Sequence, residues 1–339
     1  MPTRPLSLPP IHPSEDFWSR QHNAQKFSYE FAPLGVPTEI TANDPVALLA
    51  AQLSSQRFSR VVQPGGHAIR LQIIKRKGFS EPLPDDFISS LAYSGLNDWI
   101  TLAAGDWGQA FGQLQMRLAV MTLAPTLIAE SRILSRYFID HYLLNFLFTE
   151  WAMLHASAVI DPSGHRLFIF VGPHNAGKST TALHLTRAGY PFLADGLVLL
   201  KARNNRLVVG GYPIGEVKLR DDVLNLFPEY SGDRVRVREH TKTVVNLRAG
   251  HPDRLAESLV VPNTIHLCFV ERGPAVALAP LDPLTALDLI APHTVYWNTP
   301  SRLQANTATL HHLFSIATLH RLTLGADTNE LVSMLNNLP

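Results

Sequence analysis

Apolar and polar residues follow two different periods along this chain, and each period predicts a different kind of element. Residues 68–75 (AIRLQIIK) and 115–120 (QMRLAV) alternate apolar and polar side chains, as half-buried strands do. Between residues 133 and 145 the apolar side chains recur at intervals of three and four, which predicts an amphipathic helix. From about residue 146 onward, strand-like and helix-like segments alternate, which is typical of an α/β domain.

This pattern predicts three segments. Residues 1–25 are rich in proline and polar side chains and are expected to form a flexible arm. Residues 26–145 are expected to form an α+β accessory domain, and residues 146–339 the main domain. The length of 339 residues agrees with roughly two domains.

Composition excludes several classes of protein. Charged residues make up 17% of the chain and apolar residues 46%, which favours a compact globule. The formal net charge of +1 provides no field that would attract nucleic acid or a membrane surface, so neither is expected as a partner. The single cysteine, Cys268, excludes an intramolecular disulfide.

The chain carries no sequence signal for a membrane or for export. The most apolar stretch, residues 118–129, contains Pro125 and is shorter than the ~20 residues that span a bilayer. The first ten residues, MPTRPLSLPP, lack the apolar core of a signal peptide. A cytoplasmic protein is therefore expected.

The clearest motif lies at residues 167–180, LFIFVGPHNAGKST. Residues 167–171 form an apolar run of the kind found in strands buried on both faces. Residues 172–179 match G-x-x-x-x-G-K-[ST] in full, and residues 180–188 form a helix-like stretch that ends at Gly189. A glycine-rich turn that binds nothing is the alternative interpretation, but the flanking strand and helix favour a phosphate-binding loop.

Each residue type in this loop suits a nucleotide. Gly172 and Gly177 allow the backbone to approach phosphate oxygens, and the loop amides and the helix N-terminus attract the anion. Lys178 supplies a mobile charge for the β- and γ-phosphates, and the Ser179 hydroxyl suits a magnesium ion. ATP and Mg²⁺ are therefore the expected ligands. The predicted nucleotide-binding residues are Gly172, Pro173, His174, Asn175, Ala176, Gly177, Lys178, Ser179 and Thr180.

Two further residues are candidates for the chemistry. An apolar run at residues 191–194 ends at Asp195, only 17 residues after Lys178, so a carboxylate is expected at a strand end beside the loop. It could accept a proton from a hydroxyl or hold magnesium; the alternative is a turn residue before Gly196. His155, in the strand-like segment LHASAV, would be carried toward the same place by a hairpin, unless it is a buried core histidine.

Together, the segments LHASAV, GPHNAGKST and RAGYPFLADGLVLL resemble the catalytic core of the HPr kinase/phosphorylase family. The resemblance implies an α/β fold with a P-loop kinase core related to phosphoenolpyruvate carboxykinase, preceded here by the α+β accessory domain. It implies that Lys178 and Ser179 contact phosphate and magnesium, that Asp195 is a base and magnesium ligand, and that His155 assists Asp195. Gly196 stands where the family has a second aspartate.

The resemblance implies an ATP- and Mg²⁺-dependent kinase that phosphorylates a hydroxyl of a protein, a peptide or a small metabolite. HPr itself is not expected as substrate, because the family's long recognition signature is not evident after residue 200. The alternative is a non-catalytic nucleotide-binding regulator, which Gly196 favours. A homo-oligomer is compatible with either function.

Three residues outside the motif are weaker candidates for the site. Lys242 lies where related proteins often have a lysine near the phosphates, but a solvated loop lysine explains it equally well. Glu216 and Arg220 are expected to face the cleft on the side opposite to Lys218, or else to form the charge pattern of an edge strand.

Overall fold

The computed structural model describes residues 26–60, 68–237, 240–294, 300–325 and 328–338. The predicted arm at residues 1–25 lies outside these ranges. The described residues form a mixed α/β fold whose strands belong to three sheets. The strands are β1 Phe27–Phe31, β2 Thr38–Ala42, β3 Ile69–Lys75, β4 Ala92–Leu96, β5 Trp99–Ala103, β6 Gly108–Gln113, β7 Leu118–Leu123, β8 Ala152–Ile160, β9 Arg166–Val171, β10 Phe192–Arg203, β11 Arg206–Tyr212, β12 Glu216–Leu219, β13 Gly232–Val237, β14 His240–Asn246, β15 Thr264–Arg272, β16 Ala277–Pro280 and β17 Thr318–Leu324.

Helices cover the sheets and connect their strands. The α-helices are α1 Ala47–Ser55, α2 Phe87–Ser90, α3 Pro125–Ala129, α4 Ser131–Ile133, α5 Asp140–Leu147, α6 Lys178–Arg187, α7 Asp221–Leu224, α8 Leu247–Gly250, α9 Pro283–Ile290, α10 Pro300–Ile316 and α11 Thr328–Asn336. Short 3₁₀ helices occur at Pro33–Gly35, Gly105–Trp107, Pro252–Arg254 and Ala291–His293. Within the part of the chain that the structure describes, no helix is long and apolar enough to cross a membrane.

The first sheet has the strand order β1-β2-β3-β7-β6-β5-β4. Strand β3 confirms the alternation predicted at residues 68–75, whereas β7 begins and ends three residues later than the pattern at 115–120 predicted. The predicted helix at 133–145 forms, but its middle, Leu134–Ile139, is a π-helix between α4 and α5. A three-and-four spacing of apolar residues does not distinguish a π turn from an α turn, so this feature was not predictable.

The second sheet contains the phosphate-loop strand and has the order β11-β10-β8-β9-β15-β17-β16. Strands β9, β15 and β17 run parallel, and β10 pairs antiparallel with β8 and β11. One face packs against α9 and α10, and the other against α6, α11 and strand β12. Burial on both faces explains the continuous apolar run in β9, because neither face of the central strands meets water.

The third sheet is small, with the order β12-β14-β13, and both of its pairs are antiparallel. Val217 and Leu219 of β12 pack into the core below α6. The alternate residues of β12 therefore point to the opposite face, which lies over the phosphate loop. The third sheet thus forms one wall of the candidate site.

Candidate functional site

The phosphate loop lies between the end of β9 and the start of α6, as the motif predicted. Gly172 has φ +154°, and a Cβ built on it would lie 2.5 Å from the carbonyl oxygen of Val270 on the neighbouring strand β15. Gly177 has φ +110°, a conformation that side chains disfavour. Both glycines are therefore required by the backbone path. The Ala176 side chain packs into the hydrophobic core, so only the backbone of this residue is available to a ligand.

Lys178 is buried at the N-terminus of α6, and its Nζ donates hydrogen bonds to the carbonyl oxygens of Gly172 and Pro173, at 2.8 and 2.9 Å. Burial lowers the pKa of Lys178, and the Asp195 carboxylate opposes this effect. Arg272, at the end of β15, donates through Nε to the carbonyl oxygen of Asn175 at 3.1 Å. The loop is thus held by cations that suit a polyphosphate.

Asp195 lies against this loop, although not as the sequence predicted. It is not at a strand end: β10 continues from Phe192 to Arg203, and Asp195 pairs with Ser157 of β8. The Asp195 Oδ1 atom accepts hydrogen bonds from the hydroxyls of Ser157, at 2.5 Å, and Ser179, at 2.7 Å. Among the residues that the structure describes, Oδ2 has no hydrogen-bond partner. One carboxylate oxygen is therefore fixed to the loop and the other is available to a ligand.

Gly196 adopts φ +134°, a backbone conformation that residues with a side chain rarely adopt. An aspartate at this position would therefore be strained. The carbonyl oxygen of Gly196 lies 3.0 Å from Nδ1 of His155. Because a carbonyl oxygen only accepts, Nδ1 carries the proton in this bond.

His155 therefore lies beside the carboxylate and the loop, as the predicted hairpin required. Partial burial lowers the pKa of His155, and the Lys178 ammonium lowers it further, so its imidazole is neutral at pH 7. His293, which also borders the site, has a lowered pKa for the same two reasons. Lys178 and Arg272 are therefore the cations in contact with the loop backbone.

These groups surround one cavity of about 670 Å³. Its lining brings together the loop, the middle of β10, the turn after β11 and the third sheet. The lining residues are His155, Ala156, His174, Asn175, Gly177, Lys178, Ser179, Thr180, Asp195, Gly196, Leu197, Tyr212, Pro213, Glu216, Lys218, Leu219, Arg220, Asp222, Val223, Lys242, Arg272 and His293. Gly172 and Pro173 lie behind this surface and bind the Lys178 ammonium.

The wall formed by the third sheet carries four of the residues that sequence analysis discussed. Glu216, Arg220 and Lys242 line the cavity, which agrees with the first of the two interpretations given for each of them. Lys218 lines it too, so its predicted position on the opposite side was wrong. Residues two apart in a strand share a face, and this rule alone would have placed Lys218 beside Glu216.

Three residues that sequence reasoning missed contribute to the cavity wall or contact it, and each does so through tertiary structure. Tyr212 and Pro213 approach it because β11 ends next to β10. Arg136, on the π-helix, forms an ion pair with Glu216 of the third sheet. No local pattern in the sequence signals either approach.

Two oxygen donors at the site suit Mg²⁺. The Ser179 hydroxyl and the Asp195 carboxylate are in hydrogen-bond contact, and Mg²⁺ prefers oxygen ligands, usually one or two carboxylates together with phosphates and water. In the described ranges, no group of three or more His, Cys, Asp or Glu side chains is arranged to hold a metal ion. The donor set therefore fits a metal ion that arrives with nucleotide phosphates.

Comparisons with known proteins add little to this geometry. No family model matches the chain. No curated protein matches it either. A solved structure of the HPr(Ser) kinase/phosphatase from Coxiella burnetii is similar over 55% of this chain and 94% of that one, at 14% identity and a TM-score of 0.27. A TM-score this low does not establish a common fold.

Proposed function

We propose that the chain binds ATP with Mg²⁺ at the phosphate loop and transfers the γ-phosphoryl group to a hydroxyl. The observation that carries this proposal is the placement of Asp195, whose Oδ1 is hydrogen-bonded to the loop residue Ser179 and whose Oδ2 is unengaged by described residues. A carboxylate with an unengaged oxygen beside the loop supports this proposal, because a hydroxyl that attacks the γ-phosphate must lose its proton to a base.

The proposed roles follow from the contacts. The loop amides, with the N-terminus of α6, hold the phosphates, and Lys178 exchanges its two carbonyl partners for phosphate oxygens. Ser179 and Asp195 would hold the magnesium ion, which neutralises charge on the phosphates when it is bound. His155 donates to the Gly196 carbonyl oxygen and so helps to orient the β10 backbone beside Asp195.

The transfer step is an in-line displacement. The acceptor oxygen forms a bond to the γ-phosphorus, and the bond from the γ-phosphorus to the β–γ bridging oxygen breaks. ADP leaves with that electron pair, and the proton of the acceptor hydroxyl passes to Oδ2 of Asp195. Positioning and charge stabilisation supply most of the catalysis in such reactions, and this site offers both.

A nucleotide-binding regulator is the second candidate function, because Gly196 leaves one carboxylate where a pair would strengthen metal binding. The two functions differ in turnover but not in binding. Under the regulator hypothesis, nucleotide binds and no phosphoryl group moves to any acceptor, including water.

The test uses ATP labelled at the γ-phosphate, Mg²⁺, and protein and small-molecule fractions of the source cell. We expect label transfer by the wild-type chain, with transfer reduced about 10²- to 10⁴-fold in Asp195→Asn, because a general base contributes about that factor. Binding of the nucleotide is measured for each variant in parallel, so that a loss of transfer is distinguished from a loss of binding. Asp85→Asn, which removes an exposed carboxylate outside the cavity, is the control. Binding without turnover in any fraction would leave only the regulator.

A further inference from the structure

The cavity wall opposite the phosphate loop carries two lysines that project from the third sheet. Lys218 of β12 pairs with Val244 of β14, and Lys242 lies two residues from Val244 along the same strand. Directly paired residues share a face of a sheet, as do residues two apart on one strand. Both lysines therefore point to the face that lines the cavity.

The acidic residues on this wall are already neutralised. Glu216 forms an ion pair with Arg136, and Asp222 forms one with Arg220 at 3.0 Å. Within the described part of the chain, neither Lys218 nor Lys242 forms an ion pair with a carboxylate. Apart from the Asp195 carboxylate, no described acidic side chain is left to balance these two positive charges, which favours an anionic ligand.

The two lysines have different neighbours. Lys242 is close enough to the phosphate loop to lower the pKa of Lys178 and of His155. Burial, followed by Arg136, lowers the pKa of Lys218; the Asp195 carboxylate opposes that shift, and Lys242 adds to it. Strand β12, which carries Lys218, packs against β10, the strand of Asp195, whereas Lys242 lies on β14, the next strand of the third sheet.

We propose that Lys218 binds an oxyanion of the acceptor, so that the substrate is a hydroxyl compound that also carries a carboxylate or a phosphate. This inference rests on the proposed transfer function. In this arrangement a triphosphate contacts the loop, Lys178 and Lys242. Lys218 then binds the negatively charged group of the acceptor, while the acceptor's hydroxyl faces Asp195. A neutral hydroxyl compound would leave the Lys218 ammonium without a partner beside the reacting groups.

The experiment measures oxyanion binding to the full chain after the phosphate loop has been filled. The chain is saturated with Mg²⁺ and AMP-PNP, which blocks binding of the added anion at the loop, and is titrated by calorimetry with inorganic phosphate, with glycerate and with glycerol. Inorganic phosphate tests whether the anionic group of the acceptor is a phosphate, and glycerate tests whether it is a carboxylate. Glycerol is the neutral counterpart of glycerate. The variants are Lys218→Met, Lys218→Arg and Lys77→Met; Lys77 is an exposed lysine outside the cavity.

We expect phosphate or glycerate, but not glycerol, to bind the loaded wild-type chain. Lys218→Met should weaken that binding at least about tenfold, the effect of losing one charge-assisted hydrogen bond, while Lys218→Arg and Lys77→Met retain it. The affinity for AMP-PNP should stay within about twofold in all variants.

Three results would overturn the inference. One is that neither anion binds the loaded chain, and another is that both bind Lys218→Met as well as they bind the wild type. The third is that Lys218→Met weakens AMP-PNP about tenfold, which would make Lys218 a triphosphate ligand. If AMP-PNP does not bind the wild type at all, the proposed function is refuted independently of this inference. Titration of the nucleotide-free chain with the same anions then decides whether anion binding requires Lys218.

Discussion

Asp140 joins the first sheet's helices to the second sheet, and its removal should have a large effect on stability. Its side chain is fully buried and accepts hydrogen bonds from Nε of Arg57, at 2.7 Å, from the hydroxyl of Tyr212, at 2.8 Å, and from the hydroxyl of Ser54. Ser54 belongs to α1, and Tyr212 ends β11 next to the cavity residue Pro213. One carboxylate thus ties three parts of the chain together.

The expected magnitude follows from burial of the charged partner. The side chain of Arg57 is only 9% exposed, so Asp140→Asn would leave its guanidinium buried without a counter-charge. Breaking a buried ion pair in this way costs about 3–5 kcal/mol of unfolding free energy. The double variant Arg57→Met/Asp140→Asn removes the stranded charge, so it should be less destabilised than the sum of the single variants, with a coupling of up to about 3 kcal/mol.

The assay is urea unfolding followed by circular dichroism, with an exposed ion pair as the control. Arg132 and Asp233 are 83% and 72% exposed, and Asp233→Asn should cost no more than about 1 kcal/mol. The nucleotide affinity of Asp140→Asn is measured in parallel, because Tyr212 shapes the cavity wall. A loss of stability no larger than that of Asp233→Asn, or strict additivity in the double variant, would refute the reasoning.

Three other predictions follow from single contacts. Gly172→Ala should destabilise the chain by about 3 kcal/mol in urea unfolding and abolish calorimetric binding of MgATP, because its Cβ would clash with a backbone oxygen at 2.5 Å. The control is Gly164→Ala, with φ +76° and open space around it, which should cost about 1 kcal/mol and leave binding intact. Equal effects of the two substitutions would contradict this prediction. Burial opposes ionisation of Asp161, but hydrogen bonds from the backbone amides of Arg166 and His165 and from the Ser163 hydroxyl lower its pKa from 3.8 to about 2. The ionised carboxylate therefore stabilises the folded chain by about 2 kcal/mol above pH 4, and this contribution is lost as the pH falls toward 2. The unfolding free energy of Asp161→Asn, measured against pH, should therefore converge on that of the wild type in acid. Arg136→Gln should free Glu216 to form an ion pair with Lys218. In the calorimetric titrations of the chain loaded with AMP-PNP, oxyanion binding should then weaken several-fold while AMP-PNP affinity stays unchanged. Unchanged oxyanion binding would contradict this prediction.

Local sequence signals predicted the elements around the phosphate loop closely. The apolar run before Gly172 is strand β9, and the helix after the loop begins at Lys178, two residues before the predicted start. Helix α9, Pro283–Ile290, also has a local signal at its start, because the Asp282 side chain caps it and a proline occupies its first turn. These features depend on neighbouring residues, so a single sequence suffices to find them.

Other features depend on contacts between distant residues. The dipeptide Asp195-Gly196 interrupts an apolar run and so resembles a strand end, but β10 continues because Leu197 pairs with Tyr212 and His155 on either side. The strand order, which places β8 between β9 and β10, and the approach of Arg136 to the third sheet have no local signature either. The sequence thus singles out the loop, Asp195 and three residues of the wall, whereas the position of Lys218 and the contact with Arg136 emerge only from the tertiary fold.

The central claim is that the loop at residues 172–179 binds a triphosphate through Lys178 within reach of Asp195. Calorimetric titration of the wild-type chain and of Lys178→Met with MgATP tests it most directly. We predict saturable one-to-one binding by the wild type and affinity at least about tenfold weaker in Lys178→Met, because a charge-assisted contact to phosphate is lost. Absence of binding by the wild type, or equal affinity in the two proteins, would contradict the claim.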